Sequence, residues 1–145
     1  MPVTISATIE IAATPERVWA VLADLASYSQ WHPFFRGVSG QLSPGSTIAI
    51  TTTHPTTDRA MTVKVKVLTV EPAAELRWQS NVLGLMRNTR SFSLSTITGG
   101  TELVQSETYY QGLLVRFPAK TLTRIQNSFE AINQAIKRQA ESRPD

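Results

Sequence analysis

Four polar residues carry the clearest chemical potential in this chain: Asn88, Arg90, Gln105 and Glu107. They fall in two segments of alternating polarity, where they share a face with Phe92, Leu94, Leu103 and Tyr109. Charged side chains are rarely buried without a partner. A guanidinium and a carboxylate on one apolar face therefore predict one of two things. Either they form a structural ion pair, or they orient the polar group of a ligand in an otherwise apolar cavity. The two histidines, His32 and His54, stand in separate loop-like segments and read as partly exposed turn residues. His32, between Trp31 and Pro33, has the further option of acting as an acid or base at a pocket mouth. No histidine–carboxylate spacing resembles a metal site, and no cofactor or metal is expected. The chain has no cysteine, which excludes disulfides, zinc–thiolate sites, iron–sulfur clusters and thiol catalysis. It has no G-x-S-x-G nucleophile turn and no glycine-rich phosphate loop; Gly99-Gly100 reads as a hairpin turn.

Aromatic residues form the second group. Trp19, Tyr28, Trp31, Phe34 and Phe35 cluster in one stretch, Trp78, Phe92 and Tyr109 lie on inward strand faces, and Phe117 and Phe129 belong to the C-terminal segment. Core packing explains any one of them. As a set they are the lining that a mostly apolar pocket needs. The expected ligand-contacting residues are Trp31, Phe34, Val65, Val67, Trp78, Arg90 and Phe92, with Gln105, Glu107, Tyr109, Phe117, Ile125 and Phe129.

The elements that position these residues follow from periodicity. Val3 to Ile11 alternates strictly, as a half-buried strand does. Thr14-Pro15 supplies an N-cap and a first-turn proline, and Val18, Val21, Leu22 and Leu25 follow at helical spacing, predicting a helix that ends near Ala26. Tyr28 to Phe35, broken by Pro33, predicts a short second helix or turn. Alternating sets then recur at 48–52, 61–67, 76–80, 88–94 and 103–109, separated by Pro44-Gly45, Pro55 with Asp58, Glu71-Pro72 and Gly99-Gly100. Lys64 and Lys66 oppose the apolar face of their segment. A loop from Thr53 to Ala60 sets Ile50 opposite Val63, and a four-residue loop, Glu71 to Ala74, sets Val67 opposite Trp78. A two-residue Gly99-Gly100 loop sets Phe92 opposite Glu107 and puts Arg90 diagonal to Glu107. Each register agrees with the hydrophobic alternation, which supports an antiparallel meander. Leu122, Ile125, Phe129, Ile132 and Ile136 step by helical intervals, predicting a long amphipathic helix over 119–140. A curved sheet of about seven strands can wrap such a helix and leave a cavity between them.

Composition sets the outer bounds. The chain has 145 residues, 41% hydrophobic and 17% charged, which suits one globular domain, 1–145. Its net charge of +3 comes from scattered Lys and Arg, and nucleic acid is not an expected partner. No apolar run is long enough to cross a membrane, so no stable insertion is expected. The N-terminal MPVTISATIEIAA alternates and lacks the basic start of a signal peptide. The expected location is the cytoplasm, and the expected state is a monomer or homodimer.

The stretch ATPERVWAVLADLASYSQWHPFF resembles the opening of the START/polyketide-cyclase superfamily (SRPBCC, birch-pollen-allergen-like, helix-grip fold). ELRWQ, FSLSTITGGTELVQSETYYQGLL and the final FEAINQAIK resemble the same family, in the same order and over nearly the whole chain. Small bacterial polyketide cyclase/dehydrase-like members are the nearest in character. The resemblance implies an α+β helix-grip domain: a curved antiparallel sheet gripping the C-terminal helix, with two short helices after the first strand. It also implies a hydrophobic or amphipathic ligand, lipid- or polyketide-like, held between sheet and helix. An aromatase, cyclase or dehydrase using the same cavity is one alternative, with Arg90, Glu107 or His32 as acid, base or oxyanion stabiliser. A module that binds a partner protein is another.

Overall fold

The computed structural model describes residues 2–53, 59–82, 86–111 and 118–143. His54, the turn at Pro55 to Asp58, and Phe117 lie outside them. The chain forms β1 (Val3–Ile11), α1 (Pro15–Ala23), one turn of 3-10 helix (Leu25–Ser27) and α2 (Tyr28–Trp31). Six further strands follow: β2 (Phe35–Ser39), β3 (Thr47–Thr53), β4 (Ala60–Glu71), β5 (Glu75–Val82), β6 (Met86–Ile97) and β7 (Gly100–Gln111). The long helix α3 (Ala119–Ser142) closes the fold. The seven strands make one antiparallel sheet in the order β1-β7-β6-β5-β4-β3-β2. This is the helix-grip architecture.

Local chemistry explains the element ends, including those that depart from expectation. Thr14 caps α1 through its hydroxyl, which accepts from the Arg17 N–H. The helix stops at Ala23, three residues short of the expected end, because Asp24 leaves helical dihedrals. The 3-10 turn that follows buries Leu25 and α2 buries Tyr28, whose hydroxyl donates to the Leu22 carbonyl at 2.5 Å. β2 is the strand that alternation did not reveal. It is short and on an edge, and a bulge between Phe35 and Gly37 interrupts its period. A second bulge between Val67 and Thr69 keeps Val67 opposite Trp78, as expected, but shifts the following pairs so that Val70 meets Leu76.

The β6–β7 hairpin corrects one expected register. Its loop is Thr98-Gly99, with Gly99 at φ +83°, and Gly100 already pairs with Ile97. Gly100 is needed for a different reason: a Cβ there would sit 2.0 Å from the Ile11 carbonyl oxygen. The shift of two residues preserves every face and puts Arg90 directly opposite Glu107, not diagonal to it.

α3 runs in the same direction as β1 and caps that edge of the sheet. The Gln126 amide donates to the Ser6 carbonyl at 3.0 Å, Asn133 to Ala7 at 3.1 Å, and the Lys137 ammonium to Glu10 at 2.9 Å. At the far end the Arg17 guanidinium donates to the Ala140 carbonyl at 2.7 Å, which occupies one of the helix's orphan acceptors. The core beneath is divided. A main cluster around Leu22, Ile48, Leu76, Leu103 and Ile136 fills one end of the grip. A smaller one, built on Ile5, Tyr109 and Phe129, lies toward the other.

Phe129 is almost fully buried, so Phe129→Ala should lower stability by about 3–5 kcal/mol. Lys64 and Lys66 are exposed on β4, and replacing either with Ala should change stability by about 0.5 kcal/mol or less. Urea unfolding monitored by tryptophan fluorescence measures both.

Candidate functional site

Where the two clusters part, the sheet and α3 border an open cavity of about 500 Å³. Its apolar wall comes from Phe34, Phe35, Met61, Tyr109, Ile125 and Phe129. Its polar lining is Thr52, Thr53, Ser128, Arg90 and Arg124. An adjoining recess of about 240 Å³ shares Phe35, Thr52 and Arg90 and is walled by Ile50, Val63, Val65 and Trp78. Ser80, Asn88 and Glu107 supply its polar side.

Register builds the electrostatics of this wall. One row across the sheet reads Trp78, Arg90, Glu107, Ile5, and the next reads Ser80, Asn88, Tyr109, Val3. The Glu107 side chain is 3% exposed, yet its carboxylate is well supplied with donors. Arg90 donates to Oε2 through Nε at 2.6 Å, and the same oxygen lies 2.5 Å from the Arg90 Nη2. Asn88 donates its amide to Oε1 and in turn accepts from the Ser80 hydroxyl. Tyr109 completes the shell through a side-chain hydrogen bond to Glu107. Burial first, and then the Glu107 charge, push the Tyr109 phenol well above its ordinary range, so it stays protonated and able to donate. The Arg90 guanidinium also rests over the Phe129 ring, 5.0 Å from its centroid, which ties the pair to α3.

His32 is neither exposed nor a free base, which corrects the expectation for it. It is buried and stacks on Phe35 with ring centroids 3.8 Å apart. Its Nδ1 accepts the N–H groups of Phe34 at 3.1 Å and Phe35 at 3.0 Å, turning the chain from α2 into β2. Burial, helped by the Arg90 charge, lowers its pKa to about 3.

Of the expected contact residues, Phe34, Arg90, Tyr109, Ile125 and Phe129 line the larger cavity, and Val65, Trp78 and Glu107 line the recess. Four others sit elsewhere. Val67 and Phe92 are packed in the main core, and Trp31 lies against it with its indole N–H donating to Ser27. Gln105 is fully buried one row behind Glu107, between Phe92 and Ala7, and neither of its amide atoms has a hydrogen-bond partner among the described residues. Face assignment alone could not separate wall from core, because cavity and core share one face. The residues missed were mostly on β2, β3 and the start of β4: Phe35, Ile50, Thr52, Thr53, Met61 and Val63. Ile50 and Val63 were visible as an opposed pair. Alternation places Thr52 on the face of Ile48 and Ile50, but nothing marks a strand threonine as bordering a cavity, and Thr53 has the opposite parity.

Two outcomes follow from this geometry. Arg90→Met and Glu107→Leu should each destabilise the fold by about 3–5 kcal/mol, while the double variant should recover most of that loss. Single losses that merely add in the double variant, measured by urea unfolding, would show that the groups are not a unit. His32 gives a pH dependence of definite sign. Between pH 6.5, where the unfolded ring takes up its proton, and about 3, where the folded one does, only the unfolded state binds it. The contribution to stability is therefore complete above pH 6.5 and declines on acidification by up to about 1.4 kcal/mol per pH unit. His32→Asn offers an acceptor to the same two amides and cannot titrate, so its stability should fall less steeply between pH 6.5 and 4.5.

Comparison with known proteins agrees with this fold. A family model described as "Polyketide cyclase / dehydrase and lipid transport" matches residues 2–141. No curated protein sequence matches significantly. The crystal structure of Ara h 8.0201 superposes with a TM-score of 0.79 at 14% identity, covering 99% of this chain and 100% of that one. A protein from Chromobacterium violaceum gives 0.78 at 15% identity, covering 98% and 99%. The di-domain ARO/CYC StfQ from the steffimycin biosynthetic pathway gives 0.74 at 12% identity, covering 98% of this chain and 50% of that one. At such identities the structures share a fold and nothing finer. The family model, however, spans almost the full sequence, and the chain belongs to the polyketide cyclase/dehydrase and lipid-transport family.

Proposed function

We propose that the protein binds a small hydrophobic or amphipathic molecule, lipid- or polyketide-like, between the sheet and α3. The observation that carries this reading is the cavity of about 500 Å³, walled largely by apolar side chains, with Arg90 on its lining held in place by the buried Glu107 of the adjoining recess. That volume falls within the usual range for small-molecule pockets, about 300–1,000 Å³, and so does the mixture of many apolar groups with a few fixed polar ones. The family description, which names lipid transport alongside cyclisation and dehydration, supports the same reading. Phe34, Tyr109, Ile125 and Phe129 would grip the apolar body of the ligand. Arg90, whose guanidinium reaches both the cavity and the recess, would meet its polar group.

The same geometry favours holding over chemistry. Glu107 already accepts from Arg90, Asn88 and Tyr109, and the His32 Nδ1 is occupied by two backbone amides. A general acid or base needs a group free to exchange its proton with the ligand.

Titration with naphthalene-sulfonate and fluorescent fatty-acid probes tests the proposal. The native protein should bind one equivalent with quenching of tryptophan fluorescence, since Trp78 walls the recess. Ile125 is half-buried at the cavity wall, so Ile125→Trp should fill space without unfolding the protein and weaken binding about tenfold or more. A native protein that shows no saturable binding across a broad probe panel would sink the reading.

A further inference from the structure

Three large apolar side chains are exposed among the described residues, Phe34, Met61 and Tyr110, and all three lie at one end of the molecule. That end gathers the start of β2, the end of β3, the starts of β4 and β6, and the end of β7. α3 begins there too, because its bonds to Ser6 and then Glu10 show that it runs with β1, whose first residue pairs with Tyr109. Single exposed apolar residues are ordinary, but their collection at one pole sets that pole apart from the rest of the described surface.

The net charge follows the same direction, although cations stand at both ends: Arg17, Arg77, Lys137, Arg138 and Arg143 lie at the other end, among its carboxylates. Arg36, Arg59, Arg87, Lys120 and Arg124 are all exposed, and all stand at this end. The described carboxylates on the strands and on the last turns of α3 stand mainly at the other end, as Glu10, Glu71, Glu75, Glu102 and Glu141 do. The exception is Glu107, which is buried and committed to Arg90. The modest net charge of +3 therefore conceals a basic pole with apolar tips.

We propose that this pole docks on the surface of an anionic lipid bilayer. Phe34, Met61 and Tyr110 enter the headgroup region, and the surrounding cations face lipid phosphates. Cations around exposed aromatic and thioether tips are the chemistry that suits a negatively charged, water–hydrocarbon boundary. Tyr110 already carries the combination, with the Arg87 guanidinium 4.6 Å from its ring centroid. Phe34, Met61 and Arg124 also line the cavity, so the docked face would present the cavity mouth to the lipid.

Vesicle co-sedimentation tests this. The protein should sediment with vesicles of phosphatidylcholine mixed with phosphatidylglycerol, hardly at all with phosphatidylcholine alone, and less in high salt. Each cation near such a surface contributes about fivefold in partitioning, so Arg36→Glu combined with Lys120→Glu should weaken it about twentyfold or more. Neither residue lines the cavity, so probe binding in solution should be unchanged in that variant. Phe34→Ser combined with Met61→Ser should also weaken sedimentation. Lys64→Glu combined with Lys66→Glu makes the same charge change on the outer face of β4 and should leave it within about twofold. The proposal is overturned if the native protein ignores the mixed vesicles, or if the β4 variant loses as much as the Arg36 and Lys120 variant. It is also overturned if size exclusion shows a dimer that the Phe34 and Met61 variant dissociates, since a second copy would then cover this face. Loss of vesicle binding with intact probe binding leaves the cavity reading standing, and the reverse result removes only that reading.

Discussion

A carboxylate held out of water constrains the rest of this molecule. Glu107 is nearly inaccessible, and an isolated charge there would cost more than the fold could offset. It is tolerated because Arg90 faces it from β6, Asn88 reaches its second oxygen, and Tyr109 stays protonated beside it. Each of those partners depends on the register of the β6–β7 hairpin, which rests on two adjacent glycines with separate duties. Gly99 takes a left-handed turn conformation, and Gly100 admits the Ile11 carbonyl where no side chain would fit. A slip of one residue would turn Arg90 and Glu107 to the outer face and their apolar neighbours to water.

The pair also explains why the grip does not close completely on its helix. An apolar core would fill the space between sheet and α3 at close packing. Two adjacent rows containing Arg90, Glu107 and Asn88 cannot be covered by aliphatic side chains without stranding polar groups. The core instead divides into a cluster under α1 and the C-terminal half of α3, and a smaller one around Phe129. The cavity occupies the boundary, and the arginine over the Phe129 ring links its polar and apolar sides. His32 belongs to the same arrangement. By accepting two backbone amides it turns the chain so that Phe34 and Phe35 line the cavity, and Arg90 helps to keep it uncharged.

Strand and helix existence, the faces of nearly every strand, the span of α3, and the family resemblance were legible in the sequence, because each is written in short-range periodicity and turn chemistry. Alternation assigned Asn88, Arg90, Gln105 and Glu107 to the inner face without coordinates. It could not see β2, whose bulge breaks the period. Nor could it choose between two hairpin loops that preserve the same faces. Tertiary structure decided which inward residues border open space. Val65 and Val67 are alternate residues of one strand face and both belong to the main core, yet only Val65 also borders the recess. Gln105 and Glu107 are likewise alternate residues, and only the carboxylate meets its donors. The difference lies in how the curved sheet and α3 diverge along their length. That divergence is set by contacts between residues more than a hundred positions apart, such as Ala7 with Asn133 and Glu10 with Lys137. No local pattern records such a distance, so the faces could be read from the sequence while the cavity had to be measured in space.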